Sequence, residues 1–148
     1  MKHNLTKQIS SLTFYWHIHH DELVEPIIEP IENRIEFIKN YKSPREILIR
    51  LHLLKPVMGK LPKAVIEAGN AYKKAGIAFD KAHNAFNKAC GPYQKVWRDC
   101  HKAWSAYLKI KSAYDKVIMA HLPKIEALHK KECPNCPWNG KTIFPKEG

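Results

Sequence analysis

The sequence predicts a mainly α-helical protein: a long antiparallel α-hairpin joined to a small α+β end with zinc as the expected staple. Three observations carry that prediction. A seven-residue repeat of alanine, aromatic and lysine fills the middle of the chain, a Gly-Pro pair interrupts it, and short proline-punctuated segments flank it. The 148 residues and 17.2 kDa suit one domain with an extended appendage. Three segments are expected. Residues 1–60 carry a strand and two short helices, 61–131 the heptad hairpin, and 132–148 a Cys-x-x-Cys knuckle with a C-terminal strand packing on 1–60.

The elements follow in chain order. Residues 12–19, from Leu12 to His19, are aromatic and β-branched and predict a strand. Pro30 suits the first turn of a helix whose apolar face is Ile31, Ile35 and Ile38, with Glu29 and Glu32 favourable to its N-terminal dipole. Ser43-Pro44-Arg45-Glu46 is a capping box with proline at the first helical position, so a second helix should run to about Leu54. Ile47, Ile49, Leu51 and Leu53 also alternate as a strand would, which competes with that helix. Lys55-Pro56 stops the element, and Met58 to Leu61 is a linker.

From residue 68 to 116 the chain repeats in sevens. Position one holds Ala68, Ala75, Ala82, Ala89, Val96, Ala103 and Ile110. Position four holds Ala71, Ala78, Ala85, Pro92, Asp99, Ala106 and Ala113. Position five is mostly aromatic, as in Tyr72, Phe79, Phe86, Tyr107 and Tyr114. Position seven is always lysine: Lys74, Lys81, Lys88, Lys95, Lys102, Lys109 and Lys116. Alanine at two positions per heptad predicts closely approaching helix axes, with the aromatics supplying most of the buried area. Cys90-Gly91-Pro92 breaks the run. Proline inside a helix costs about 3 kcal/mol, whereas glycine past one helix end and proline at the next start is a favourable arrangement. Two antiparallel helices, about 62–89 and 92–131, are therefore expected. The alternative, a kinked rod of about 70 residues, would be ~105 Å long.

Composition limits function. Twenty-five Lys and Arg against 14 Asp and Glu give a net charge of +11, favouring polyanionic partners. No apolar run approaches the ~18 residues needed to span a bilayer, and Met1 to Ser11 lacks an apolar core, so a cytoplasmic protein is expected. P-loop, GxSxG, GxGxxG and HExxH patterns do not occur. Glu22, Glu25, Glu29, Glu32 and Glu36 read as a solvated helix face and N-terminal charge.

Of the four cysteines, Cys90 and Cys100 lie inside the repeat and read as small apolar residues. Cys133-Pro134-Asn135-Cys136 differs, because it follows the last helix beside prolines. It resembles the knuckle of zinc-ribbon and rubredoxin-like sites, where two thiolates on a tight turn grip one metal. One such pair is half of a tetrahedral site, so histidine or carboxylate must complete it. His129 lies four residues upstream of Cys133, and His17 and His19 would point the same way from a strand. Trp138-Asn139-Gly140-Lys141 reads as a hairpin turn into a strand over Thr142-Ile143-Phe144.

Two resemblances add to this. The runs from Trp16 to Asp21, Glu29 to Glu32 with Arg34-Ile35, and Glu132 to Trp138 resemble a group of small phage-encoded proteins. That likeness covers both ends of the chain, implies a phage or prophage origin and a host-cytoplasmic setting, and implies no activity. A second likeness is to HNH nucleases, in which a His-His pair precedes a Cys-Pro-Asn-Cys zinc knuckle. It implies His20 as a base activating water. The knuckle here lies far downstream of His19-His20, and the family's second Cys pair is missing.

Three roles compete on these grounds. A non-enzymatic binding protein with a structural zinc would engage nucleic acid through the seven lysines, with Tyr72, Trp97 and Trp104 available to stack on bases. A protein-binding, assembly or inhibitory module would use the alanine face, for an acidic partner surface or for self-association. A metal-dependent nuclease would use the histidines and cysteines for chemistry.

Overall fold

The computed structural model describes residues 13–89 and 94–144. It is mainly helical, with a long packed pair of helices and a small three-stranded antiparallel sheet. The described residues form two compact units, one holding the chain up to Leu61 together with Pro123 onward, the other Pro62–Leu122.

In the first unit, β1 (Phe14–Trp16) is the central strand, flanked by β2 (Val24–Pro26) and β3 (Lys55–Pro56). Tyr15 stands opposite Glu25 on one side and Pro56 on the other. The prolines occupy the two edge strands, where a missing N–H costs no ladder bond. Only three residues of the expected 12–19 segment are strand, and Leu12 lies outside the described residues. His17 adopts a left-handed φ of 56° and turns the chain out of the sheet. A histidine in that region is uncommon.

Helix α1 (Ile31–Tyr41) buries Ile38 completely and keeps Ile31 and Ile35 half-buried, the face that the spacing predicts. Helix α2 (Pro44–Leu53) starts where the capping pattern places it, the Glu46 N–H donating to Ser43 Oγ at 3.3 Å. The helical reading of Ile47 to Leu53 thus prevails over the alternating one, and Leu53 joins Cys133 and Ile143 in a buried cluster. Arg50, in the last turn of this helix, is 1% exposed. Its Nη2 donates to the Ile18 carbonyl at 3.3 Å, the same oxygen that Arg34 Nε reaches at 3.1 Å. Two guanidinium groups therefore hold the loop that follows β1. Burial first, and Arg34 second, lower the Arg50 pKa.

The second unit is helix α3 (Lys63–Ala89) packed on α4 (Gln94–Ala120). Cys90, Gly91, Pro92 and Tyr93, where the break is expected, lie outside the described residues. Ring contacts fix the direction of the pair: Tyr72 stacks on Tyr114 and Tyr107, and Phe79, seven residues later, stacks on Tyr107 and tilts against Trp104. Partners fall in number as α3 advances, so the helices are antiparallel. The seam consists of positions five and one: Tyr72 and Tyr114 are buried, and Ala68, Ala75, Ala82, Val96, Ala103 and Ile110 are half-buried. Placing Tyr72 between Tyr107 and Tyr114 sets it across from Ile110, an aromatic facing a smaller residue. The alanines of position four do not share in this. Ala71, Ala78, Ala85, Ala106 and Ala113 are all exposed; in α3 the second small residue of the seam is instead the buried glycine of position two, Gly69 and Gly76.

The expected second long helix does not reach residue 131 unbroken. Backbone bonding of α4 ends at His121, and Pro123 lies in the first turn of a separate helix, α5 (Leu122–Glu132), where its missing N–H does no harm. From Pro123 on, α5 belongs to the first unit. Its last residue fastens that unit internally. The Glu132 carboxylate accepts from the N–H groups of Met58 at 2.6 Å and Gly59 at 2.9 Å, and from Trp16 Nε1 at 3.4 Å.

The expected strand over 142–144 is not formed. Ile143 N–H donates once, to the His20 carbonyl at 2.9 Å, while Phe144 N–H turns to Thr142 Oγ1. Local side-chain acceptors satisfy the backbone there in place of a ladder. The preceding turn is present: Asn139 Oδ1 accepts from Lys141 and Thr142, with Gly140 at φ 96°.

Candidate metal centre and basic helical face

Four potential donors converge in the first unit. His17, His129, Cys133 and Cys136 each offer one ligand atom, and these atoms all lie within 4.8 Å of one another. His129 sits in the last turn of α5, and the Cys133 N–H donates to its carbonyl at 2.7 Å, extending the helix by one residue. Residues four apart share a helix face, so His129 and Cys133 present their donors together. Cys136 returns to them through a tight turn: Asn135 takes a left-handed φ of 63°, and Cys136 N–H donates to the Cys133 carbonyl at 3.3 Å. Asparagine tolerates that conformation better than most residues.

His17 arrives from the sheet. Its left-handed backbone, held by N–H donation to the Leu23 carbonyl at 3.1 Å, swings the ring between His129 and Trp138. Its Nδ1 lies 3.3 Å from the Glu22 carbonyl. A carbonyl only accepts, so Nδ1 carries the proton and Nε2 faces the cluster with its lone pair, an arrangement metal-bound imidazoles share. That Nε2 is 2.9 Å from His129 Nε2 and 3.2 Å from Cys136 Sγ. Zinc bond lengths require edges of about 3.3 Å between two nitrogens and about 3.6 Å between nitrogen and sulfur. These two pairs stand a few tenths of an ångström inside those edges, within reach of small side-chain rotations.

The electrostatics suit a cation. Burial, then the neighbouring His129, lowers the His17 pKa from 6.5 to about 4, against the opposing pull of the Glu22 carbonyl. Burial likewise lowers His129, against Glu126 and Glu132. Both imidazoles are therefore neutral near pH 7, the form that ligates. The Cys133 thiol is pushed up to about 11, first by burial and then by Cys136, with Lys55 pulling it down. A metal would have to displace that proton. Two nitrogens and two sulfurs in a closed set fit a tetrahedral ion, and the four residues are close enough to hold one.

His19, a candidate on strand alternation, is not among them. The turn at His17 ends the alternation, and the exposed His19 places Nδ1 2.7 Å from Oε1 of the buried Glu25. His20, the base implied by the nuclease likeness, is also exposed and contacts Thr142 Oγ1 at 3.2 Å.

The seven lysines of the repeat are all exposed. Successive ones on a helix stand about 10.5 Å apart. Their common face follows from the seam. With positions five and one inward, positions four and seven lie on one flank of each helix, and two and six on the other. Antiparallel packing turns the second helix end over end, so like flanks adjoin. Lys74, Lys81 and Lys88 therefore share a face with Lys95, Lys102, Lys109 and Lys116, above a floor of position-four alanines interrupted by Asp99. Trp97 and Trp104, at position two, are 51% and 42% exposed on the opposite face. Tyr72 is buried against Tyr107 and Tyr114, which removes it as a stacking platform.

Comparison with known families, curated proteins and solved structures gives no match. Among the described residues no helix is long and apolar enough to cross a membrane.

Proposed function

We propose that the chain is a non-enzymatic binding protein of phage type, in which a structural zinc ion held by His17, His129, Cys133 and Cys136 closes the first unit and the lysine face engages nucleic acid. The observation that carries the nucleic-acid half is the pair of exposed lysine rows on one side of an antiparallel helix pair. Lysine is a point charge on a flexible stem and reads phosphate, not base edges, so binding has little sequence preference. The tryptophans face away from the rows, so contacts are to the backbone, without base stacking. Zinc supplies no chemistry here. Four protein ligands fill a tetrahedral shell and leave no position for an activated water, and the His20 of the nuclease likeness stands outside the set.

Titration with random-sequence duplex at several salt concentrations tests this. Each Lys→Gln change at position seven should lower the salt slope by about 1, uniformly across sequences. Trp97→Ala and Trp104→Ala should leave affinity within twofold. Salt-independent binding, or loss of binding only on tryptophan replacement, would refute the proposal. One observation favours a protein partner instead. Trp97, Trp104 and Leu108 expose apolar surface along α4, and a co-purifying protein lost on Trp97→Ala would support that alternative.

A further inference from the structure

A second concave site lies in the first unit, apart from the lysine face. Arg45, Ile49, His52 and Leu53 of α2, at helical spacing, line a cavity of about 880 Å³ together with Cys133, Pro134, Asn135 and Pro137 of the knuckle turn. Ile143 and Phe144 add to its apolar lining. The volume falls within the range of small-molecule sites, about 300–1,000 Å³, and the interior is mostly apolar, as such sites are.

Its charge is one-sided. Arg45, His52 and Lys55 border the cavity against a single acidic residue, Glu46. Lys55 and His52 line the same cavity as the Cys133–Pro137 turn, which puts two basic side chains on its wall. An apolar chamber with cationic groups at its edge selects ligands that are apolar along their body and negative at one end. A neutral ligand would gain only burial, and a cationic one would meet Arg45 and Lys55.

We propose that this cavity binds a small amphiphilic anion, an apolar body bearing one carboxylate- or phosphate-type head, with Ile49, Leu53 and Phe144 around the body and Lys55 with His52 at the head. This needs neither the nucleic-acid nor the zinc reading: of the four candidate donors only Cys133 borders the cavity, and no ligand contact is assigned to its sulfur.

The test uses the full chain as purified and an anilinonaphthalene sulfonate probe, which is itself an apolar anion. Saturable one-to-one fluorescence enhancement is expected. Decanoate should displace the probe at a concentration at least tenfold below decanol or decyltrimethylammonium, all kept below their micelle thresholds. Lys55→Glu should weaken probe binding about tenfold, Lys63→Glu at an exposed site of the second unit should leave it unchanged, and Ile49→Trp should abolish it. If Ile49→Trp fails to fold, the two lysine variants still decide. Equal displacement by all three amphiphiles, equal weakening by Lys63→Glu, or no saturable binding would each overturn the proposal.

Discussion

Replacing His17 by alanine separates the two histidines that the sequence made equivalent. His17 supplies one of four donors, whereas His19 sits on Glu25 outside the set. At a free zinc concentration a thousandfold above the dissociation constant, binding to the folded state alone adds about 4 kcal/mol to stability. Loss of one of four ligands should weaken affinity at least hundredfold. The same zinc concentration then stands only tenfold above the dissociation constant and adds about 1.4 kcal/mol. Urea denaturation in a zinc buffer and in chelator gives this increment directly, and because each protein is its own reference, the packing lost with the nearly buried His17 ring cancels. His17→Ala should keep about a third of the wild-type increment, and His19→Ala all of it. A full increment in His17→Ala, or a reduced one in His19→Ala, would refute the assignment.

Other consequences are open to measurement. A Cβ at Gly59 would lie 2.8 Å from Glu132 Oε2 and closer still to the Leu128 side chain, so Gly59→Ala should cost about 1–3 kcal/mol in denaturant unfolding. In chelator-treated protein the His17 imidazole titrates near 4 when folded and near 6.5 when unfolded. The unfolded chain holds more protons between those values, so stability should fall by up to about 3 kcal/mol as the pH drops through that window and then level off. A flat profile in urea titrations from pH 7 to 4 would contradict it. In the helix pair, Tyr114→Ala should cost about 3–5 kcal/mol because the ring is buried in the seam, while Ala78→Gln at exposed position four should stay within about 0.5 kcal/mol.

Much of the helical architecture was legible because the repeat is long and its period unambiguous. Position five to position one spacing marks a seam, and Ser43 with Glu46 marks a helix start in only four residues. Composition alone did not say which alanines face inward. Positions one and four are both small, and only the pairing of Tyr72 with Tyr107 and Tyr114 shows that position four is solvent floor. The break before Pro123 was obscured because apolar spacing continues through it. At the metal centre, the Cys pair and His129 follow from local spacing, since residues four apart on a helix and three apart in a knuckle cannot help converging. His17 needed tertiary information. Alternation on a strand joins it to His19, and the left-handed turn that separates them has no glycine to announce it. Arg50 and Glu132 were equally hidden, a charge among isoleucines and leucines and a charge in a run of Lys and Glu, because their partners are backbone groups brought near by folding.

The most direct measurement of the central claim is X-ray absorption at the zinc edge of purified, zinc-loaded protein. Two sulfurs at about 2.3 Å and two imidazole nitrogens at about 2.0 Å are expected. A shell dominated by oxygen, one with four sulfurs, or one unchanged when His17 is replaced would contradict it.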